Sequence, residues 1–261
     1  MVKIDSSRCI GCGLCVEDCI SKRITLQNGI AVAGGKCLLC GHCAAICPRG
    51  AVSLPIYKED PMLPYSPDTF ALPTENLLNA IKFRRSIRNF KPITIEPDKL
   101  ALLADAGRHT ATAKNTQGCR FIFVQNELAE FKKVFWDSME NFLNTTDDRR
   151  MRLMLRPFFD GRNDSPKDEY LFRNAPAVLF VITNNAIDAG LAAQNIELMA
   201  ISMGMGAMYN GYLCRTASAL PEVREWLNLG EENVGACMLL GYPAVTYART
   251  APRRTDGIEF R

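Results

Sequence analysis

The sequence CIGCGLCVEDC at residues 9–19 returns as CLLCGHCAAIC at residues 37–47, where Pro48 follows at once. In each copy three cysteines recur at every third residue, and a fourth comes four residues after the third. A 4Fe–4S cluster binds four thiolates at the corners of a small cube, and one tight loop can supply three of them at this spacing. The spacing therefore predicts two cuboidal iron–sulfur clusters, which together would use eight of the eleven cysteines.

The fourth ligand of each cluster must come from outside its own loop. In two-cluster ferredoxins it is the last cysteine of the other motif. We therefore assign the first cluster to Cys9, Cys12, Cys15 and Cys47. We assign the second cluster to Cys37, Cys40, Cys43 and Cys19. Residues 1–54 resemble a bacterial two-cluster ferredoxin, with one departure: Ile20 follows Cys19, where that family often has proline.

Two other uses of cysteine fit this pattern less well. Structural zinc prefers pairs of cysteines brought together tetrahedrally, so runs of three would leave thiols unused. A disulfide framework is typical of short secreted chains. This chain has 261 residues and opens with Met1–Asp5, which has none of the apolar character of an export signal. Clustered reduced cysteines without such a signal lead us to expect a cytoplasmic protein.

The composition divides the chain into parts. We expect a two-cluster domain at residues 1–54, a proline-rich linker at 55–74 with five prolines, and a larger domain at 75–261. The net charge of +3 gives no reason to expect binding to nucleic acid. No run of about 18 apolar residues predicts a membrane helix.

Strand and helix signals are interspersed, which predicts an α+β or α/β class. Gln27-Asn28-Gly29 indicates a hairpin turn between the two cysteine motifs. Apolar runs predict buried strands at 120–125, 177–183, 206–212 and 236–242. A helix that Thr74 could cap and a helix beginning near Pro97 are expected as well. Residues 188–203 predict a helix that is apolar on nearly every side, and such a helix is buried in a core or against a partner chain.

A basic cluster at residues 84–88 is the second informative feature. Arg84, Arg85 and Arg88 surround Ser86 within five residues. Guanidinium groups bind phosphate through paired charge-assisted hydrogen bonds, and a hydroxyl suits a polyol chain. The alternative is a solvated basic end of a helix.

Further motifs follow this cluster in a definite order. They are Ala113-Lys114-Asn115-Thr116-Gln117, Asn210-Gly211, Gly241-Tyr242-Pro243, and Arg249 with Arg253 and Arg254. In this succession, residues 75–261 resemble the nitroreductase family of FMN-dependent oxidoreductases. An N-terminal two-cluster ferredoxin unit is a recognised addition within that family. The resemblance implies an α+β chain in which the ferredoxin-like domain is fused to a nitroreductase-like α/β sandwich with a mixed central sheet.

The resemblance also implies roles for individual residues. Arg84, Arg85, Ser86 and Arg88 match the segment that holds the FMN phosphate, ribityl chain and pyrimidine edge. Asn115 and Gln117 match a loop that touches the flavin, usually in the partner subunit. The backbone amides of Asn210 and Gly211 would face flavin N5. Arg253, with Arg249 or Arg254, matches a phosphate clamp.

Two departures from the family pattern bear on substrate choice. Gly118-Cys119 stands where many relatives have a pair such as Pro-Trp, and Asn210 stands where a glutamate is frequent. No paired carboxylates or nucleophile triads stand out in the sequence, and none is needed for catalysis if the flavin carries the reaction. Residues 142–173, charged and aromatic, could supply a lid or substrate wall, or could be a solvated helical excursion.

The function implied by the resemblance is that of a homodimeric flavin enzyme. Its two 4Fe–4S clusters would exchange electrons with FMN, and FMN would reduce a small organic acceptor such as a nitroaromatic, a quinone or an activated alkene. The electron donor would be NAD(P)H or ferredoxin. One alternative is a module that passes electrons from ferredoxin to a partner protein. The other is a specialised flavin chemistry such as reductive dehalogenation or oxidative ring formation.

Overall fold

A computed structural model describes residues 1–163 and 170–261. The chain divides into two compact units, and the division is not a single cut in the sequence. The first unit contains Met1–Leu72 together with the short segment Thr112–Thr116. The second unit contains Pro73–Ala111 and Gln117–Arg261. Each unit has helices and strands, which confirms the α+β class.

The first unit is built from short strands around the cysteine loops. Strand β1 (Lys3–Ile4) pairs antiparallel with β4 (Val52–Ser53), and β2 (Ile24–Gln27) pairs with β3 (Ile30–Ala33). Asn28 and Gly29 connect β2 to β3 with φ values of 49° and 75°. Positive φ at both central residues is typical of the tightest hairpin turns, so this turn forms where the sequence predicted it.

A one-turn helix ends each cysteine loop of the first unit. Helix α1 (Leu14–Glu17) lies in the first loop and α2 (His42–Ala45) in the second. A short 3₁₀ turn at Pro55–Tyr57 and helix α3 (Pro67–Phe70) follow. The small core of the unit consists of Val2, Cys15, Ile24, Ala31, Cys43, Ala44 and Val52. Two of these seven residues are predicted cluster ligands, so a bound cluster would complete the core.

The second unit contains the longer helices and a four-stranded sheet. Its helices are α4 (Thr74–Phe83), α5 (Pro97–Arg108), α6 (Leu128–Thr145), α7 (Arg149–Asp160), α8 (Ala186–Ser202), α9 (Gly211–Ala219) and α10 (Pro221–Trp226). Its strands are β5 (Arg120–Val124), β6 (Ala177–Ile182), β7 (Gly206–Tyr209) and β8 (Val234–Gly241). The strand order is β5-β6-β8-β7. We predicted a mixed sheet, and each neighbouring pair of these described strands runs antiparallel.

The sheet of the second unit separates two hydrophobic cores. Successive side chains of β6 point to opposite faces. Val178 and Phe180 belong to the core that α6, α7, α9 and α10 cover. Ala177 and Leu179 belong to the core that α5 and α8 cover. Helices on both faces of a central sheet make a sandwich, as expected.

Three predicted elements differ from expectation in extent, burial or capping. Strand β7 ends at Tyr209, short of the expected Tyr212, because Asn210 caps α9 and turns the chain into a helix. Helix α8 is buried along one face only: in a single chain the exposed fractions are 72% for Ile187 and 47% for Leu191. Thr74 is the first residue of α4, and its side chain makes no capping hydrogen bond.

The charged and aromatic segment 142–173 packs partly into the core. Leu155 and Phe159 of α7 are buried, and so are Leu171 and Phe172. The segment is therefore more than a solvated excursion. Residues 164–169 of the expected lid lie outside the described residues. Across the described ranges, the helices are too short or too polar for any of them to cross a bilayer.

Candidate cofactor sites

One cavity of the first unit is lined by four cysteines that come from both motifs. They are Cys9, Cys12, Cys15 and Cys47. Backbone N–H groups point at two of their sulfurs: Ala31 N lies 3.4 Å from Cys9 Sγ, and Ala51 N lies 3.3 Å from Cys47 Sγ. The cavity therefore gathers the ligand set that we assigned to the first cluster.

A second cavity of the same unit is lined by the complementary set. Its cysteines are Cys19, Cys37, Cys40 and Cys43. Arg23 N donates to Cys19 Sγ and Leu39 N donates to Cys37 Sγ, both over 3.3 Å. Each cavity thus takes three cysteines from one loop and the last cysteine of the other loop, which is the exchange that the sequence predicts.

The most buried thiols resist losing their protons in the absence of metal. The pKa of Cys43 is raised to about 11, mainly by burial and next by the nearby Cys37 and Cys40. Burial also raises the pKa of Cys15, as do its neighbours Cys12 and Cys47. Iron binds the thiolate, so cluster formation must displace these protons and is favoured by higher pH.

The four cysteines of each set stand around a cavity and do not converge on one point. In residues 1–163 and 170–261, no three Cys, His, Asp or Glu side chains come close enough to hold a single metal ion. A cuboidal cluster requires thiolates spread around a volume, with one at each iron. Both sets fit a 4Fe–4S cluster in number, chemistry and placement.

The basic segment at residues 84–88 is held against the sheet of the second unit. Ile87 N donates to Ala207 O of β7 over 2.9 Å. Gly206 makes this approach possible, because a Cβ there would lie 2.3 Å from Ile87 Cγ1. Phe90 then forms a bridge to Pro243 beyond β8. The arginines therefore stand on a fixed backbone and not on a loose helix end.

Two arginines of this segment have unusual surroundings. Arg84 Nε lies 3.5 Å from Glu197 Oε2 of α8, a carboxylate that is almost fully buried. Burial raises the pKa of Glu197, whereas Arg84 and a hydrogen bond from Gln194 lower it. Arg85 Nη2 is buried and has no hydrogen-bond partner among the described residues. A buried donor without a partner is costly, so an anion or polyol oxygen at this position would satisfy it.

An open cleft of about 340 Å³ brings together four of the predicted flavin residues. They are Ser86, Arg88, Asn210 and Gly211. Arg173, Arg215 and the aromatic rings of Tyr170, Tyr209 and Tyr212 complete much of its wall. Gly211 begins α9, and the first N–H groups of a helix have no partner within the helix. The cleft therefore offers hydroxyl, guanidinium and backbone donors to a planar, oxygen-rich and anionic molecule such as FMN.

The side chain of Asn210 is used for structure. Its Oδ1 accepts from Leu213 N over 2.9 Å and so caps α9, while its Nδ2 donates to Leu171 O over 2.5 Å. Asparagine is among the best N-cap residues. The side chain fixes the start of the helix at Gly211, a residue that lines the cleft.

The Asn115 side chain lies in the first unit and outside the cleft. Asn115 Nδ2 donates to Leu39 O over 3.0 Å, in the second cysteine loop. Gln117 belongs to the second unit, is exposed, and has φ of 49°. The flavin contacts that the resemblance implies for these two residues stay predictions.

The C-terminal arginines are exposed and do not line the cleft. Arg254 Nε lies 2.9 Å from Asp256 Oδ1, and Arg253 Nη1 lies 3.2 Å from Pro252 O. Arg249 is exposed as well. The phosphate clamp expected from these residues stays a prediction.

Sequence reasoning missed two arginines of the cleft and the buried carboxylate that pairs with Arg84. Arg215 lies four residues after Gly211, on the same face of α9, so helical spacing could have revealed it. Arg173 stacks on Tyr170, with its guanidinium carbon 4.1 Å from the ring centroid, and no motif marks it. Glu197 lies in an apolar helix, where a carboxylate is itself a signal that a cation is near.

Comparison with known proteins agrees with this architecture. Residues 81–242 match the model of the nitroreductase family, and residues 8–51 match that of the 4Fe-4S dicluster domain. The chain is 29% identical to the NADPH-flavin oxidoreductase of Vibrio harveyi over 178 residues, which span 64% of this chain and 66% of that protein.

Solved structures share the fold. A nitroreductase with bound FMN from Bacteroides fragilis has a TM-score of 0.60 at 23% identity, covering 72% of this chain and all of that one. A nitroreductase with bound FMN from Desulfitobacterium hafniense has a TM-score of 0.55 at 23% identity, covering 70% of this chain and 97% of that one.

A 4Fe–4S dicluster unit joined to this flavoprotein-like fold defines an iron–sulfur oxidoreductase. The family model covers more than half of the sequence. The chain belongs to the nitroreductase family and carries a 4Fe–4S dicluster domain in its N-terminal part.

Proposed function

We propose that this protein is an FMN-dependent oxidoreductase in which two 4Fe–4S clusters exchange electrons with FMN, and that it reduces a small organic acceptor. The observation that carries the proposal is the cleft that gathers Ser86, Arg88, Asn210 and Gly211. Its donors suit FMN, and related structures contain FMN. The bound flavin would supply hydride chemistry and single-electron chemistry at one ring.

The residues of the cleft would bind and orient that flavin. Ser86 and Arg88 would donate to the polyol chain and the pyrimidine edge, and the N–H of Gly211 would donate to the ring. Arg84 and Arg85 would hold the phosphate, with Arg253 and Arg249 or Arg254 as further candidates. Nη2 of Arg85 supports this assignment, because a phosphate oxygen would give it the hydrogen bond that none of the described residues provides.

The acceptor would bind over the exposed face of the flavin. Tyr170, Tyr212 and Phe158 form an aromatic group there, with ring centroids 4.8 Å apart for Phe158 and Tyr212. Planar nitroaromatics, quinones and activated alkenes would stack on such rings. We infer that the neighbouring part of segment 142–173 forms a wall of this acceptor site.

The protein would act as a homodimer in the cytoplasm. In a single chain α8 leaves Ile187 and Leu191 exposed, and α4 leaves Leu77, Leu78 and Ile81 exposed. A second copy could cover these apolar side chains. The family resemblance supports an arrangement in which both flavins would lie at such an interface, and Asn115 and Gln117 of one subunit would approach the flavin of the other.

The flavin site is tested by removing its expected phosphate ligands. Arg84→Ala combined with Arg253→Ala should raise the dissociation constant of FMN by about 100-fold or more, because each lost charge-assisted contact is worth roughly 1.5–3 kcal/mol. Cluster absorbance should stay unchanged. Arg108→Ala with Arg156→Ala removes the same charge from exposed helix surfaces and serves as the control. A double variant at 84 and 253 that keeps stoichiometric FMN would overturn the site assignment.

The direction of electron flow is tested by anaerobic stopped-flow reduction. Flavin and cluster absorbance are followed separately after mixing with NADH, NADPH or reduced ferredoxin. Direct hydride transfer should reduce the flavin before the clusters, whereas ferredoxin should fill the clusters first. Turnover of a small acceptor without any added protein supports an enzyme. Electron transfer only to a partner protein would favour the alternative of a carrier module, and selective turnover of a halogenated substrate would favour a specialised chemistry.

A further inference from the structure

The short segment Thr112–Thr116 belongs to the first unit although the residues on either side belong to the second. It contains a 3₁₀ turn at Ala113–Asn115. The half-buried side chain of Asn115 donates through Nδ2 to Leu39 O over 3.0 Å and lies 3.5 Å from Tyr57 Oη. The segment therefore contacts the loop that carries Cys37, Cys40 and Cys43.

Leu39 has an unusual backbone conformation at this contact. Its φ is 56°, in the left-handed region that residues with a side chain rarely adopt. Such conformations persist when the surrounding structure holds them, and they concentrate at functional sites. Asn115 supplies this support, because its hydrogen bond fixes the carbonyl of Leu39. The matching position of the first loop is Gly11, with φ of 67°, and glycine needs no such support.

Leu39 also contacts a predicted cluster ligand. Leu39 N donates to Cys37 Sγ over 3.3 Å. The N–H of Leu39 belongs to the peptide group before its Cα, and the carbonyl belongs to the peptide group after it. Each peptide group is rigid, so once the carbonyl is held and φ stays in the left-handed region, the direction of the N–H is fixed as well. Hydrogen bonds to the sulfurs are among the factors that set the reduction potential of an iron–sulfur cluster.

We propose that Asn115 is a positioning residue for the second cluster. By holding Leu39 it keeps the N–H of Leu39 on Cys37 Sγ and so raises the reduction potential of that cluster. The proposal rests on the two clusters of the proposed function. It is distinct from the flavin contact that the family resemblance implies for Asn115, and the two roles have different consequences for FMN.

The test is a redox titration of the full-length protein with the substitution Asn115→Ala, monitored by EPR under anaerobic conditions. Beforehand, Cys12→Ser and Cys40→Ser, which each disturb one cluster, assign the two reduction waves. We expect the equilibrium constant for reduction of the second cluster to fall at least three-fold, which corresponds to about 28 mV for one electron at 59 mV per ten-fold change. The potential of the first cluster should stay unchanged.

Two further variants make the result decisive. Thr116→Ala, an exposed neighbour in the same segment, is the matched control and should leave both potentials in place. Leu39→Gly combined with Asn115→Ala should recover much of the lost potential, because glycine adopts the left-handed conformation unaided. If Asn115→Ala prevents insertion of the second cluster, this double variant should restore it.

Results that contradict the positioning role differ from results that contradict the proposed function. Equal shifts in both clusters, or a change confined to the flavin, would overturn the positioning role, and so would a double variant without recovery. If Asn115→Ala has the wild-type potentials, the inference fails while the proposed function stands. Absence of iron and sulfide from the anaerobically purified wild-type protein would instead show that the proposed function itself is wrong.

Discussion

The loop at Cys9–Cys19 and the loop at Cys37–Cys47 share their cysteine spacing and the left-handed glycine before each short helix, Gly13 at φ 78° and Gly41 at φ 80°. The loops differ at the position two residues before that glycine, which is Gly11 in the first loop and Leu39 in the second. Gly11 passes so close to the β2–β3 turn that a Cβ would lie 2.2 Å from Gly29 O. Leu39 at the matching position carries a side chain, and its carbonyl accepts a hydrogen bond from Asn115. The same backbone shape is thus obtained once by close packing and once by a hydrogen bond.

The hydrogen bonds to sulfur show the same combination of likeness and difference. The last cysteine of each motif accepts from the N–H four residues later: Arg23 for Cys19 and Ala51 for Cys47. The first cysteines differ, because Cys9 accepts from Ala31 in β3 whereas Cys37 accepts from Leu39 within its own loop. The repeat therefore keeps the ligands and changes their surroundings, which would give the two clusters different potentials.

The largest expected effect comes from exchanging the residues that differ. Gly11→Leu would force a Cβ against the backbone carbonyl of Gly29, which cannot move without disturbing the hairpin. We expect loss of the first cluster, roughly half of the iron of a chain with two 4Fe–4S clusters. The reverse change, Leu39→Gly, should keep both clusters. Iron and acid-labile sulfide per chain measure both outcomes, and a Gly11→Leu protein with full iron would contradict this view of the first loop.

The second effect concerns the exchange of ligands between the loops. Cys47→Ser should damage the first cluster although Cys47 belongs to the second motif, because the cavity of the first set includes it. Combined with Cys12→Ser it should cost no more iron than Cys12→Ser alone.

Combined with Cys40→Ser, the same change should damage both clusters. The iron content of these two double variants, compared with the Cys12→Ser and Cys40→Ser single variants, measures the exchange directly. The opposite pattern would show that each motif binds its own cluster.

The smallest effect concerns a hydroxyl that only one loop has. Ser21 Oγ lies 3.5 Å from Cys19 Sγ, whereas the matching position after Cys47 is Arg49. Ser21→Ala should lower the potential of the second cluster by roughly 20–40 mV, as a hydrogen bond worth about 0.5–1 kcal/mol would. The exposed Ser53→Ala of β4 is the control. Redox titration measures the effect. A shift confined to the first cluster would show that Cys19 is not a ligand of the second cluster.

Local patterns predicted much of the fold. The Asn28-Gly29 turn forms between β2 and β3, because these residues tolerate positive φ. The apolar run at 177–183 forms β6, buried on both faces of the sheet. The alternation of β6 between two cores follows from strand geometry alone. In the candidate site, the sequence order of the motifs singled out Ser86, Arg88, Asn210 and Gly211, which the fold brings to one cleft.

Other features depend on contacts between distant residues and could not be predicted from local patterns. Asn115 and Leu39 are 76 positions apart, and the spacing around either one says nothing about the other. The ion pair of Arg84 and Glu197 joins the start of the second unit to the middle of α8. The sequence predicted that β7 would run to residue 212. It ends at Tyr209 because Asn210, which the apolar pattern includes in the strand, serves as a helix cap.

The discontinuity of the first unit has a consequence for its biosynthesis. A nascent chain synthesised as far as Leu72 already contains the eight predicted cluster cysteines, but it lacks Thr112–Thr116. The ribosome adds those residues roughly 2–9 s later at 5–20 residues per second. Until then the second loop must hold Leu39 in its left-handed conformation without Asn115. Co-translational maturation would therefore proceed in order, with the first cluster inserted early and the second stabilised only after residue 116 has emerged.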